Sequence, residues 1–242
     1  MHFLKFLAKV ALRREFICLP DIDVKTAVVG SEYGGWQVAP TLLSPESVVY
    51  SFGIGEDVSF DLELIDRFGL ELHAFDPTPK SLQWIENQSL SPKFITHPIG
   101  LADHDGTVTF HAPPNDAHVS HSVFDRGHPE GKAVDVQVRT LAYIMHELGH
   151  LHIDLLKMDI EGSEYSVIKS LATTDIRPKQ LLIEMHHRFK GIGIGESKSL
   201  IKQLRLMGYK LFYRSPKKEE FGFIHTSALT EATILTDAHS DS

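Results

Sequence analysis

Two glycines and a carboxylate in the first half of the chain have the spacing of a nucleoside site. Gly53 and Gly55 follow the apolar run SVVYSF (47–52), and Asp76, followed by Pro77, comes roughly 20 residues later. Glycines allow a tight turn and a close approach of the backbone to a ligand, and a carboxylate at that distance commonly binds ribose hydroxyls. A simple tight turn would explain the glycines equally well.

Acidic residues directly after the glycines discriminate between nucleoside cofactors. Glu56, Asp57 and Asp61 stand at the start of a predicted helix. A pyrophosphate needs unobstructed N–H groups and no anions at such a helix start, so these carboxylates disfavour NAD and ATP. S-adenosylmethionine carries an ammonium and a sulfonium and no phosphate, so the sequence favours it. The alternative is that the carboxylates only complement the helix dipole.

A second set of candidate residues follows two later apolar runs, DLLKM (154–158) and QLLIEM (180–185). The set comprises Asp159, Glu161, Glu184, His186 and His187. Transfer of a methyl group to a hydroxyl needs an aligned nucleophile and a proton acceptor. Asp159 and His186 are the candidate general bases, and His186 is favoured because its ordinary pKa of about 6.5 is close to working pH. The alternatives are an Asp159 that caps the following helix and a purely structural His186.

The same residues permit a metal-centred interpretation. The carboxylates of Asp159, Glu161 and Glu184, together with His186, could hold a divalent cation that orients a sugar diol. This alternative is less favoured than direct proton transfer.

The string HELGH (146–150) matches the H-E-x-x-H pattern of zinc metallopeptidases, which presents two histidines on one helix face. Gly149 is a strong helix terminator, so His150 is expected to leave the helix. The sequence therefore disfavours a zinc metallopeptidase.

Strand and helix signals alternate from residue 47 onwards, which predicts a parallel, helix-covered sheet. Strands are expected at 47–52, 71–75, 93–97, 154–158 and 180–185, and helices at 59–68, 80–88, 140–148, 163–171 and 196–207. Two half-exposed strands, 107–111 and 134–138, flank a loop (112–132) that is a candidate lid. The last strands, 209–213 and 220–224, are expected to pair antiparallel. Ligands of such sheets bind beyond the carboxyl ends of the strands, where the candidate residues lie.

Composition limits the classes of protein that remain. The chain has 242 residues, 42% of them hydrophobic, a net charge of -8 and a single cysteine, Cys18. The acidic balance argues against nucleic acid as the main partner, and one cysteine is consistent with a reducing, cytoplasmic location. The first residues predict an amphipathic helix rather than a signal peptide, and no segment is apolar enough to span a bilayer. We expect a helix and lead-in (1–45), one catalytic domain (46–226) and a flexible tail (227–242).

Several segments together resemble the FkbM-type family of S-adenosylmethionine-dependent methyltransferases. They are VVYSFGIGEDVSFD, LHAFDPTPKSL, IGLADHDGTVTF, DLLKMDIEGSEYSVIKSL, LLIEMHH and LMGYKLFY. The resemblance implies an α/β, Rossmann-like class I fold, doubly wound around a seven-stranded, mostly parallel sheet with one antiparallel strand. It also implies S-adenosylmethionine as cofactor and O-methylation of a sugar, a glycan or a natural-product-like metabolite, and it leaves a homo-oligomer open.

The resemblance also assigns residues. Gly53, Gly55 and Asp76 match the cofactor-binding positions, and D-x-E-G at 159–162 matches the signature after the fourth strand. Two positions depart from the family pattern, because Ser51 stands where an acidic residue is usual and Asp57 replaces a third glycine.

Glu56 or Asp57 could instead bind the methionine part of the cofactor. Trp36, in the segment GSEYGGW (30–36), is a candidate aromatic wall for a sugar or adenine, and Glu161, Glu184 and His187 are candidate acceptor contacts. The departures at Ser51 and Asp57 also suggest an alternative, a domain that binds a cofactor or partner without turnover.

Overall fold

A computed structural model describes residues 16–111, 133–189, 191–216 and 219–229. Most of the predicted N-terminal helix, the candidate lid (112–132) and nearly all of the predicted tail lie outside these residues. No helix within the described ranges is long and apolar enough to cross a bilayer.

The described chain alternates strands and helices as the sequence predicts. The strands are β1 (Ala27–Val29), β2 (Trp36–Val38), β3 (Val49–Phe52), β4 (Leu72–Phe75), β5 (Phe94–His97), β6 (Gly100–Leu101), β7 (Gly106–His111), β8 (Ala133–Arg139), β9 (Leu155–Met158), β10 (Gln180–Glu184), β11 (Tyr209–Arg214) and β12 (Glu220–His225). The α-helices are α1 (Ser59–Phe68), α2 (Pro79–Glu86), α3 (Leu141–Leu148), α4 (Glu164–Leu171) and α5 (Gly193–Leu206), and a 3-10 turn covers Pro40–Leu42.

Seven strands form the main sheet in the order β11-β12-β10-β9-β3-β4-β5. Neighbours from β10 to β5 are parallel, whereas β12 is antiparallel to both β10 and β11. The predicted mostly parallel sheet with one antiparallel strand is therefore confirmed. The chain runs outward from β3 to β5 and then returns to place β9 on the other side of β3. This reversal opens a crevice at the carboxyl ends of β3 and β9, where open α/β sheets bind ligands.

The central strands are short and apolar because both faces of the sheet are covered. All residues of β3, β4 and β9 are buried. Side chains alternate between the faces: Tyr50 and Phe52 join one hydrophobic cluster, and Val49 joins the other. Because both faces are fixed by packing, the carboxyl ends of these strands form a rigid base for a site.

Three further strands, in the order β6-β8-β7, make a small separate sheet. The predicted strands at 107–111 and 134–138 are thus present, and they pair antiparallel with each other. A short hairpin of β1 and β2, which the sequence does not reveal, precedes the main sheet. The Gly30 amide donates to Glu63 of α1 at 2.7 Å, so this lead-in is attached to the domain.

Helix α3 ends where the sequence predicts. Gly149 has a left-handed backbone (φ 70°) and caps the helix. His150 lies beyond this cap, with Nδ1 2.7 Å from the hydroxyl of Tyr50, and His146 is exposed. The two histidines do not share one continuous helix, which is the arrangement that the zinc metallopeptidase pattern requires.

A cluster of buried histidines lies beside Tyr50 in the core. His73 Nδ1 is 3.0 Å from His97 Nε2, and the His73 ring contacts the His150 ring edge-on at 4.9 Å. Burial, followed by repulsion from His97 and His150, lowers the pKa of His73 to about 4. Burial also lowers the pKa of His97 and of His150. The folded chain therefore keeps the His73 ring neutral in mildly acidic solution.

We expect the buried histidine cluster to destabilise the folded state as the pH falls from 7 to 5, in opposition to Glu184 and His186, whose pKa values the fold raises. An unfolded histidine titrates near 6.5, so below that pH the unfolded chain binds more protons than the folded chain. His73 alone accounts for a loss of about 2 kcal/mol in the free energy of unfolding at pH 5. Its Nε2 is 3.7 Å from the exposed Glu71 carboxylate, which favours the protonated ring and so offsets part of this loss of stability. Thermal unfolding across this pH range measures the loss.

The matched variants are His73→Gln and, as a control, His146→Gln. The first removes a buried titrating group, so between pH 7 and pH 5 its melting temperature should change in the stabilising direction relative to that of the wild type. The second changes an exposed histidine and should leave the pH dependence as it is. Equal pH dependence of the wild type and His73→Gln would contradict the assignment.

Candidate active site

A cavity of about 680 Å³ lies at the carboxyl ends of the central strands. This volume is typical of sites for small molecules. Its walls come from residues 33–36, 52–57, 75–78, 100–104 and 159–161, together with Ser81, Val108, Phe110, Lys157, Ser163, Ser166, Glu184, Glu219 and Glu220. The cavity therefore reaches from the glycine loop, on one side, to the ends of β9 and β10 on the other.

Gly53 occupies the tightest position of the glycine loop. Its backbone has a φ of 82°, and a Cβ added there would lie 1.8 Å from the carbonyl oxygen of Asp159. Its amide donates to the Phe75 carbonyl at 3.0 Å. Gly55 also has a positive φ, 61°, but a Cβ there would meet open space. Only Gly53 is required by close packing between neighbouring strand ends.

Asp76 is buried at the end of β4 and holds the glycine loop in place. One carboxylate oxygen accepts hydrogen bonds from the amides of Ile54 and Gly55, each at 3.1 Å. The other accepts from the amide and the hydroxyl of Thr78, at 2.9 and 2.6 Å. Asp76 and the following Pro77 line the cavity, so the carboxylate both borders the space and shapes its wall.

Glu56 and Asp57 differ in how the protein uses them. Glu56 is exposed at the cavity wall, 3.7 Å from Lys80. Asp57 accepts from the Ser59 amide at 2.8 Å and from the Ser31 hydroxyl at 3.0 Å. Burial would raise the pKa of Asp57, but these hydrogen bonds outweigh it and lower the pKa. Asp57 therefore joins the lead-in to the start of α1 as an ionised carboxylate.

The structure does not bring the side chain of Ser51 to the cavity. Ser51 is completely buried, and it pairs in register with Lys157 of β9. Strand alternation turns both side chains towards the face that α1 covers. The buried acid near this position is Asp61 of α1, whose pKa is raised by burial and held down by the Lys157 charge. Strand β3 thus lacks the acidic residue that is usual at position 51 in the family. Asp61 of α1 instead provides a buried acid behind the glycine loop.

Lys157 is a site residue that sequence reasoning overlooks. Its ammonium donates to the Gly53 carbonyl at 2.6 Å and lies 5.7 Å from the centre of the Trp36 ring. Lys157 is buried and, with Trp36, lines the cavity. Lysines are rarely buried. A lysine in the middle of a strand that is expected to be buried on both faces is therefore the sequence signal that could have identified Lys157 as a site residue.

Carboxylates dominate the far side of the cavity. The acidic residues that line it there are Asp159, Glu161, Glu184, Glu219 and Glu220. Oδ1 of Asp159 is buried and accepts no hydrogen bond from any described residue. Burial, followed by repulsion from Asp159, raises the pKa of Glu184 to about 8. This side of the cavity is therefore suited to cationic or hydrogen-bond-donating groups.

His186 lies behind this acidic wall rather than in the cavity lining. Its Nδ1 is 3.0 Å from Oε1 of Glu164, and its Nε2 is 3.7 Å from carboxylate oxygens of both Asp159 and Glu161. Burial lowers the pKa of His186, but the surrounding carboxylates, Glu164 above all, outweigh it and raise the pKa to about 10. The imidazole is therefore protonated at neutral pH in the absence of a ligand, which differs from the free base that sequence reasoning favours.

His187 faces away from the cavity. It is buried, and its ring contacts the ring of Phe16 edge-on at 5.8 Å. The structure thus separates two adjacent histidines that the sequence assigns to one site. Strand β10 ends at Glu184 and the chain begins a turn at His187, so the two histidines do not continue one strand into the site.

Glu164, the first residue of α4, holds the loop that precedes the helix. Its two carboxylate oxygens accept from the amides of Ile160 and Gly162, at 2.9 and 3.0 Å. The N-cap residue of α4 is Ser163, and no side chain makes a cap hydrogen bond there, so the alternative role of Asp159 as a helix cap is wrong. Glu161, between these amides, has a φ of 55°, a conformation that costs a non-glycine residue free energy.

The strand order, the glycine loop after β3 and the acid after β4 define the Rossmann-like fold of class I methyltransferases. The model of the methyltransferase FkbM domain matches residues 49–211, and the chain belongs to this family. The match spans the strands from β3 to the first half of β11 and includes every polar residue of the acidic wall up to Glu184.

Two curated relatives are probable methyltransferase-like protein 24 of Homo sapiens and of Rattus norvegicus. The human protein is 28% identical over 189 residues, which is 74% of this chain and 45% of the relative. The rat protein is 27% identical over 214 residues, which is 84% of this chain and 49% of the relative. The chain therefore spans about half the length of these relatives.

Solved structures with a similar fold include the methyltransferase FkbM of Methylobacillus flagellatus. That structure has a TM-score of 0.47 and 17% identity, over 76% of this chain and 44% of its own. The fibrillarin pre-rRNA processing protein of Methanococcus jannaschii has a TM-score of 0.46 and 12% identity, over 78% of this chain and 69% of its own.

Proposed function

We propose that the protein transfers a methyl group from S-adenosylmethionine to a hydroxyl group of a sugar, a glycan or a small metabolite. The observation that carries this proposal is one cavity with two chemically different sides. The glycine loop and Asp76 border one side, and the partly exposed carboxylate of Asp159 borders the other. Family membership supports methyl transfer as the reaction.

The charge of the loop supports the choice of cofactor. Glu56, Asp57 and Asp76 all border the side of the cavity with the glycine loop. Carboxylates there attract the ammonium and sulfonium of S-adenosylmethionine and repel the phosphates of a dinucleotide. When bound, the cofactor supplies an electrophilic methyl group on a positively charged sulfur.

Asp159 is the proposed proton acceptor. Transfer of the methyl group to the acceptor oxygen would break the carbon–sulfur bond of the bound cofactor, and the acceptor hydroxyl would have to give up its proton. The Asp159 side chain is 31% exposed and lines the cavity, so its carboxylate is accessible to that proton. His186 has a positioning role, because its protonated ring lies against Asp159 and helps to keep that carboxylate ionised.

Trp36 provides the aromatic ring that either the acceptor or the cofactor is proposed to contact. Its ring is buried, lines the cavity and lies against the ammonium of Lys157. Aromatic faces commonly pack against sugar rings and nucleobases. Glu161 and Glu184 lie on the acidic wall and are the proposed hydrogen-bond acceptors for sugar hydroxyls.

Calorimetric titration with S-adenosylhomocysteine tests the cofactor assignment. We expect micromolar binding to the wild-type protein and at least tenfold weaker binding to Asp76→Asn. An amide cannot accept the full set of hydrogen bonds from Ile54, Gly55 and Thr78, so the loop loses its shape and the ribose contact changes. The absence of binding to the wild type would overturn the proposed cofactor.

Asp66→Asn is the matched control, because Asp66 lies on the exposed side of α1 outside the cavity. It should bind S-adenosylhomocysteine as the wild type does. Melting temperatures of both variants separate weaker binding from loss of the fold. Equal affinity of Asp76→Asn and Asp66→Asn would remove Asp76 from the cofactor site.

A further inference from the structure

We propose that Asp159, Glu184 and His186 form a binding site for a divalent transition-metal ion at the acidic end of the cavity. One ligand atom from each of these residues lies within 4.8 Å of the other two. Two carboxylates and an imidazole form a donor set that suits Mn²⁺ and Zn²⁺ better than Mg²⁺ or Ca²⁺, which prefer oxygen ligands alone.

The topology of the sheet brings the three residues together. Strands β9 and β10 are adjacent and parallel, with Met158 opposite Ile183 at their ends. Asp159 directly follows β9, and Glu184 is the last residue of β10. His186 follows Glu184 by two positions, so strand alternation turns both towards the same side. The backbone therefore fixes the cluster, and no long loop is needed to assemble it.

The orientation of His186 points to a ligand independently of the acidic charge. The side chain is 8% exposed, its Nδ1 is 3.0 Å from Glu164, and its Nε2 faces Asp159 and Glu161. A histidine that binds a metal usually donates its other ring N–H to a carboxylate, which fixes the ring and the tautomer. Glu164 is completely buried and is itself held by two backbone amides, so it is a rigid partner of this kind.

A second independent observation is the carboxylate of Asp159. Its Oδ1 is buried and receives no hydrogen bond from the described part of the chain. Nε2 of His186, at 3.7 Å, is too far to donate a hydrogen bond to this oxygen, and a coordinated cation that replaces the Nε2 proton would remove the cost of burying it. Because Glu161, Glu219 and Glu220 also face this end of the cavity, a cation there would be strongly attracted.

An ion at this position extends the proposed function, although its binding does not depend on that function. It would contact two neighbouring hydroxyls of a sugar and lower the pKa of the one that accepts the methyl group. The second carboxylate oxygen of Asp159 would remain available to the hydroxyl proton. The acceptor class would then be a vicinal diol rather than any single hydroxyl group.

Titration of the full-length, chelator-treated protein with Mn²⁺ alone tests the site. Electron paramagnetic resonance measures the free ion, and we expect one saturable site per chain with a micromolar Kd. Asp159→Asn, Glu184→Gln and His186→Gln should each weaken binding at least tenfold. Glu164→Gln should weaken it about tenfold or more through the orientation of His186.

Asp66→Asn is the matched control, since Asp66 is an exposed acid of α1 that lies outside both the cavity and the cluster. It should bind Mn²⁺ like the wild type. An equal loss of Mn²⁺ affinity in the control and in the cluster variants would overturn the site. The absence of saturable Mn²⁺ binding to the wild type would also overturn it. Titration of each variant with S-adenosylhomocysteine shows whether the fold is intact. Mn²⁺ binding without methyl transfer would leave the metal site standing and overturn only the proposed function.

Discussion

Replacing Gly53 with alanine is expected to lower the free energy of unfolding by about 2–5 kcal/mol and to abolish cofactor binding. Two effects add: a positive φ costs an L-residue roughly 1–2 kcal/mol, and overpacking against backbone costs about 1–3 kcal/mol more. The clash is severe because the new Cβ would lie 1.8 Å from the carbonyl oxygen of Asp159. Relieving it would separate β3 from β9 at their carboxyl ends, where the cavity lies.

Gly55→Ala is the matched control for this prediction. Gly55 also has a positive φ, 61°, but nothing lies within 4 Å of an added Cβ. The positive φ alone should therefore lower the free energy of unfolding of Gly55→Ala, by about 1 kcal/mol. This variant should retain S-adenosylhomocysteine binding. Chemical denaturation gives the two free energies, and calorimetry gives the two affinities. Equal losses in both variants would show that the close approach to Asp159 does not matter.

Most of the main sheet could be predicted from the sequence because its strands are short apolar runs separated by clear stop signals. Gly69 and Gly149 end α1 and α3 with a left-handed backbone, as their positions indicate. The observed ends of the predicted strands in the main sheet lie within two residues of those expected. The sequence does not predict the hairpin of β1 and β2, because each strand has three residues and neither shows a periodic pattern.

The placement of site residues depended on information that the sequence does not carry directly. Ser51 lies between Tyr50 and Phe52, so strand alternation alone could have turned it away from their face of the sheet. Its neighbour Lys157 becomes visible only when the register of β3 against β9 is known. The pairing of His73 with His97 likewise requires β4 and β5 to be adjacent.

The state of His186 could not be predicted because it is set by residues from another segment. An ordinary pKa near 6.5 makes a histidine the natural first choice as a base. The carboxylates of Glu164, Asp159 and Glu161 reverse that argument, because they outweigh burial and raise the pKa of His186, so that the ring holds its proton at neutral pH. Glu164 looks like an ordinary acidic residue of a helix start, and only the folded chain reveals that it faces His186.

Replacing Asp159 with asparagine is expected to lower the turnover of methyl transfer by about 100- to 10,000-fold, the usual contribution of a general base. An amide has nearly the same shape but cannot take the proton of the acceptor hydroxyl. Asp159 lies at the acidic end of the cavity, away from the loop that Asp76 holds. The affinity for S-adenosylhomocysteine should therefore stay within about threefold of the wild type, because the change is confined to the reacting end.

The assay follows the release of S-adenosylhomocysteine with a panel of sugars and glycans, in the wild type, Asp159→Asn and His186→Gln. Asp66→Asn, which makes the same change of charge outside the cavity, controls for the altered net charge. A larger loss in His186→Gln than in Asp159→Asn would return the base to the histidine. Full turnover in Asp159→Asn would mean that the acceptor loses its proton to water, and the Asp159 carboxylate would then serve only to hold the acidic wall.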